Sequence, residues 1–103
     1  MTRPRTIAFR RIAEAARVHL DTIAPRWLPD GRREGAEWVA RTPTRADNTR
    51  GSFKVNLKTG LWGDFSTGDK GGDAISLAAY VHRLDQAEAA RRVAEMIGID
   101  PYE

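Results

Sequence analysis

At 103 residues, with 41% hydrophobic and 30% charged side chains, the chain has the length and composition of one small globular domain. It has no cysteine, which excludes disulfides, thiolate metal sites and cysteine nucleophiles. No apolar run approaches the ~20 residues of a membrane span, and the basic start Thr2-Arg3-Pro4-Arg5 has no apolar signal core after it, so a cytoplasmic protein with no membrane partner is expected.

In chain order, the first predicted element is a helix over residues 6–24. Ala8, Ile12, Ala15, Ala16, His19, Leu20 and Ile23 fall on one stripe at helical spacing, with Arg10, Arg11, Arg17 and Asp21 mostly elsewhere. Pro25 is expected to stop it, Trp27-Leu28-Pro29 reads as an apolar plug, and Asp30-Gly31 is a turn signal. Arg32-Arg33-Glu34-Gly35 continues that loop into a first strand, Glu37-Trp38-Val39-Ala40, and residues 41–50 form a polar loop with three arginines.

A hairpin follows. Ser52–Asn56 and Leu61–Phe65 are β-type runs joined by the turn Lys58-Thr59-Gly60. Phe53, Val55 and Leu57 alternate with Ser52, Lys54, Asn56 and Lys58, which places the second set outward. Trp62 and Asp64 fall on the face opposite Leu61, Gly63 and Phe65. A glycine-rich knuckle, residues 67–73, then leads into two helices over 73–97. Asp73 is placed as N-cap of the first, whose buried face is Ile75, Leu77, Ala78, Val81 and Leu84. Asp85 with Glu88 forms a capping-box pattern for the second, Ala87, Ala90, Val93, Ala94 and Ile97 face inward, and Gly98 with Ile99 closes it. The expected architecture is α+β, a small antiparallel sheet of about three strands spanning 37–65, flanked by an N-terminal helix and a C-terminal helical hairpin in one domain.

Charge is unevenly spread along this plan. The net charge is +3, but residues 1–58 carry +7 and residues 59–103 carry −4, and 14 of the 17 basic residues are arginine. Arginine suits phosphate and base edges, so the first half favours a polyanionic partner. An arginine-rich composition typical of a GC-rich genome accounts for the same numbers equally well.

The order Ser-Phe strand, aromatic strand, Gly-Gly-Asp-x-Ile turn and helix, followed by Leu84-Asp85-Gln86-Ala87-Glu88-Ala89-Ala90-Arg91-Arg92-Val93-Ala94, resembles the N-terminal zinc-binding ribbon of bacterial and phage-type DNA primases. The resemblance covers residues 28–99. It implies a zinc-ribbon-like domain that touches single-stranded template DNA and carries out no phosphoryl transfer, which in that family belongs to a separate domain. The family's zinc ligands map onto Arg41, Thr44, Phe65 and Gly68, none of them an ordinary zinc ligand. The resemblance therefore implies a metal-free, degenerate form. Zinc contributes on the order of 10 kcal/mol in small modules. An apolar cluster of Phe65 with Trp38, Phe53, Val55 and Trp62, at about 1.5–3 kcal/mol per buried side chain, is expected to take its place.

Other chemistry has little support in the sequence. His19 and His82 have no ligand spacing, and Asp64, Asp69 and Asp73 among glycines do not follow a calcium-loop register, so no metal or cofactor is expected. The knuckle lacks the Gly-Lys-Ser/Thr ending of a nucleotide loop. No nucleophile–base grouping supports an enzyme or a small-molecule substrate. The candidate DNA-binding residues are Arg32, Arg33, Arg41, Arg45, Arg50, Lys54 and Lys58, with Trp62 as the base-stacking ring. The leading expectation is a non-catalytic, primase-like module contacting single-stranded DNA in the replication of a phage, plasmid or integrated element. The alternative is an adaptor or inhibitor that docks on a replication helicase or primase without touching DNA. A contiguous cationic face with an exposed aromatic separates the first from the second.

Overall fold

The computed structural model describes residues 5–41 and 52–103. Two helices come first, α1 (Phe9–Arg17) and α2 (Leu20–Trp27), where the sequence predicts one. The apolar stripe does continue through both, but the ladder breaks at Val18-His19: the His19 N–H bonds three residues back to Ala16 O at 2.9 Å, and the His19 carbonyl restarts the helix by accepting from Thr22 and Ile23. Pro25 lies inside α2 rather than ending it. Its missing N–H deprives only the carbonyl of Asp21, an exposed residue open to solvent. The helix runs on to Trp27, and Leu28 N–H closes it on Ala24 O at 2.9 Å.

The start of the predicted helix is not helical either. Ile7 forms an antiparallel bridge with Tyr102, Ala8 N–H donates to Pro101 O at 2.8 Å, and Glu103 N–H donates to Thr6 O at 2.9 Å. Arg11 reinforces the junction by donating to the carbonyls of Asp100 and Tyr102.

The sheet has five antiparallel strands in sequence order, β1 (Arg32–Glu34), β2 (Glu37–Ala40), β3 (Phe53–Asn56), β4 (Trp62–Asp64) and β5 (Lys70–Gly71), against the three or so expected. The additions are the two edges. Neither Arg-Arg-Glu nor Lys-Gly has strand-forming composition, yet each pairs the open backbone edge of a stronger neighbour, β1 on β2 and β5 on β4. Between β3 and β4 the predicted turn is present. The Asn56 side chain accepts from the Lys58 and Thr59 N–H groups, and Gly60 takes a φ of +83°.

Helices α3 (Ala74–His82) and α4 (Gln86–Ile97) close the chain. Asp73 caps α3 with Ser76 in a reciprocal box, and Asp85 accepts from Glu88 N–H at 2.7 Å. The Glu88 side chain does not complete the second box. It bridges Arg91 at 2.9 Å and Arg92 at 3.0 Å, because a guanidinium one turn on competes better for a carboxylate than a neutral N–H. Gly98, at φ +79°, ends α4 as expected.

Helix α3 joins two apolar clusters. Its Ile75 and Ala78 pack with Ile12, Leu20, Ile23 and Val93 of the other helices. Its Leu77 packs with Leu28 at the end of α2 and with Ala40, Phe53, Val55 and Trp62 on the inner face of the sheet.

Candidate nucleic-acid interface

Pairing register decides which sheet residues share a face, since directly opposed residues point the same way. One cross-strand row runs Arg33–Trp38–Val55–Trp62–Gly71, and its neighbour runs Ala40–Phe53–Asp64. Apart from Arg33, which is exposed on the edge strand, these face the helices. The alternate row, Arg32–Val39–Lys54–Gly63–Lys70, lies on the outer face, with Val39 buried, Lys54 and Gly63 half-buried and Arg32 and Lys70 exposed. Leu61 and Phe65 flank Gly63 at two-residue spacing and share that outer face.

Phe65 is therefore not a core residue. It is 70% exposed, and Leu61 is 59% exposed. The aromatic volume expected of Phe65 comes instead from Tyr80 of α3. The Phe53 ring stacks against Trp62 at 5.6 Å and against Tyr80 at 5.9 Å, and Trp62 meets Tyr80 at 4.9 Å. Trp62, the expected base-stacking ring, is only 7% exposed and its Nε1–H donates to Ser76 Oγ at 3.0 Å. Gly71 makes this possible, because a Cβ there would lie 2.5 Å from both Trp62 Nε1 and Ser76 Oγ. Trp38 is likewise turned inward, donating to Leu28 O at 2.9 Å.

What aims Phe65 outward is its neighbour. Asp64 is 1% exposed, and its carboxylate accepts from Tyr80 Oη at 2.7 Å, from Ser66 Oγ at 2.6 Å and from Ser66 N–H at 3.0 Å. The Asp64 carbonyl accepts from Thr67 and Gly68 N–H, winding the knuckle. Strand alternation then leaves Phe65 no inward option, and its N–H ties back to Ser52 O at 2.6 Å. Ser52 itself, expected outward, is buried beneath this contact.

The outer face holds an open groove of about 450 Å³ across β3, β4 and β5. Gly63 contributes a floor with no side chain, Leu61 and Phe65 stand on either side, and Lys54 and Lys70 flank it from the neighbouring strands. Lys54 Nζ sits 5.7 Å from the centroid of the Phe65 ring, a cation–π contact that steadies the ring. Glu37 and Asp69 also line the groove, so its charge is mixed rather than uniformly basic.

The predicted cations divide accordingly. Lys54 and Arg32 share the outer row, although Arg32 also pairs with Glu34 at 3.0 Å. Arg33 lies on the opposite side of the edge strand and donates to Gly35 O. Lys58 is exposed in the hairpin turn, and Arg41 follows β2 with its Nε buried and without a hydrogen-bond partner among the described residues. Arg45 and Arg50 lie outside the described residues, as does Thr44. Sequence reasoning missed Lys70, hidden in a stretch read as a turn, and Phe65 as a surface ring.

No protein-family model matches this sequence, and no curated protein matches it. Among the described residues no three His, Asp or Glu side chains gather to hold a metal ion, and no helix is long and apolar enough to cross a membrane. The knuckle after β4 is wound by the Asp64 carbonyl and braced by the Asp64 carboxylate on Ser66. Chemically, the outer groove offers an open aromatic face, an apolar neighbour and two ammonium groups around a flat backbone floor. That is a surface for a flat apolar ring carrying a negative charge close by.

Proposed function

We propose that this protein is a non-catalytic module that holds single-stranded DNA across the outer face of its sheet. The observation that carries the reading is the exposed Phe65 ring beside the open Gly63 floor, between Lys54 and Lys70. A base stacks on Phe65, Leu61 borders the sugar, and Lys54, Lys70 and Arg32 meet phosphates. Unstacked bases expose the faces such a ring uses, whereas a duplex hides them, so a single strand is the fitting substrate. The resemblance to the primase ribbon supports the same direction, template contact without phosphoryl transfer, with Phe65 in the role first expected of Trp62.

The test is fluorescence anisotropy of labelled single-stranded DNA at low and moderate salt. Three phosphate contacts give a slope of about −2 in log K against log salt for a single strand, so binding should weaken about twentyfold between roughly 50 and 200 mM salt. Phe65→Ala should weaken it by about tenfold, the stacking contribution of one base. No binding at the lower salt would remove the reading. The exposed Leu61–Phe65 pair would then favour the second one, an adaptor that docks this same face on a replication helicase or primase.

A further inference from the structure

A second groove, sharing no lining residue with the first, follows the seam between α2 and the α3–α4 hairpin. It consists of two hollows of about 260 and 320 Å³ that adjoin at Arg26 and Met96. Its accessible apolar surfaces come from Trp27 of α2, from Leu84 after α3 and from Met96 and Ile97 of α4, over the buried Ile23 and Val93. Its charged lining is of one sign. Arg26 stands on α2 and Arg92 on α4, with the imidazoles of His19, at the N-cap of α2, and His82, at the end of α3, beside them, and among the described residues no carboxylate lines either hollow.

The positive charge there is poorly compensated. Among the described residues Arg26 has no ion pair, and the carboxylate paired with Arg92, that of Glu88, is shared with Arg91. His82 meets the edge of Trp27 at 5.2 Å, and its pKa lies below the usual histidine value, first through partial burial and then through repulsion by Arg92. A further negative charge would relieve that repulsion.

These features select among occupants. A basic segment is repelled. A bare phosphate would leave the Trp27 and Met96 surfaces uncovered. An acidic chain with interspersed apolar side chains satisfies both, and the flexible thioether of Met96 adapts to the side chain it meets. We infer that this groove docks an acidic, apolar peptide segment of a partner protein, its carboxylates facing Arg26, Arg92 and His82 and its apolar side chains against Trp27 and Met96. The docking is independent of the sheet face, so the protein would join a strand on one surface to a partner on another.

The experiment is an NMR titration of the full chain with a short acetylated peptide of alternating Glu and Leu. Shifts are expected at the Trp27 indole N–H, the Met96 methyl and the His82 ring, together with a rise in the His82 pKa. The same peptide with Lys for Glu, or with Ser for Leu, should leave all three unmoved. Arg26→Glu, an exposed substitution, should weaken the interaction about tenfold or more by placing like charges face to face. Met96→Gln should weaken it without any change of charge. Absence of shifts overturns the proposal. Equal shifts with the Glu/Ser peptide or with inorganic phosphate reduce the groove to a simple anion site and also overturn it, as do shifts confined to Leu61 and Phe65 or the same shifts with single-stranded DNA.

Discussion

Along β4 and its flanks, alternate residues do opposite work. Trp62 and Asp64 enter the protein, one stacked among aromatic rings and hydrogen-bonded to Ser76, the other almost fully enclosed and held by Tyr80 and Ser66. Leu61, Gly63 and Phe65 face solvent and form the groove. The inner set is tied to α3, so changing it changes the fold. The outer set rests on a backbone already fixed from behind, so its chemistry is free to answer to a ligand. The two sets should therefore separate in experiment, one moving stability and the other affinity.

The strongest test of that separation is Asp64→Ala. It removes the acceptor of both Ser66 groups and of the shorter Tyr80 Oη bond, leaving Tyr80 the 3.2 Å bond to Asp69, and should cost about 2–3 kcal/mol in urea denaturation. A loss below half a kcal/mol would break the comparison. Gly71→Ala comes next. The added methyl collides with the Trp62 indole and Ser76, and a cost of about 1–3 kcal/mol is expected, visible as a lower Tm and altered tryptophan fluorescence. On the outer face, Phe65→Ala should leave stability within about 0.5 kcal/mol of the parent, as surface changes do. The accompanying tenfold loss of DNA affinity then belongs to the face and not to unfolding. Lys54→Ala with Lys70→Ala should act more gently, flattening the salt dependence by about 1.4 in slope for the two contacts removed.

The smallest effect sharpens the contrast from outside the sheet. The fold favours neutral His82, because partial burial and Arg92 both oppose its charge. Stability should be complete above the unfolded value of about 6.5 and fall as pH drops from there towards the lower folded pKa, where the unfolded chain binds more protons. His82→Gln should remove that component of a thermal-shift profile, and a profile unchanged by the substitution would show the histidine to be indifferent.

What the sequence made legible follows the range of the interactions involved. The caps at Asp73, Asp85 and Gly98 depend on a few neighbouring residues, and the helices after the sheet could be read from them. The alternation in β3 and β4 was equally plain. Which side of β4 faces inward was not, because Leu61 and Phe65 make one side as apolar as Trp62 makes the other, and only Tyr80, far along the chain, breaks the tie. The edges β1 and β5 had no signal of their own, since their residues are strands only by virtue of the neighbours they pair. Lys70 was lost with β5. The break at Val18-His19 escaped because both halves keep the same stripe.

The bridge between Ile7 and Tyr102 closes the backbone into something near a ring with a seam. A short covalent link across that seam would add little strain, and the chain could be reopened at the exposed Gly35 turn to give a circular permutant with the same sheet and helices. In such a rearranged protein the outer groove of the sheet would be left whole, while any partner fused at the new ends would leave from the β1–β2 turn.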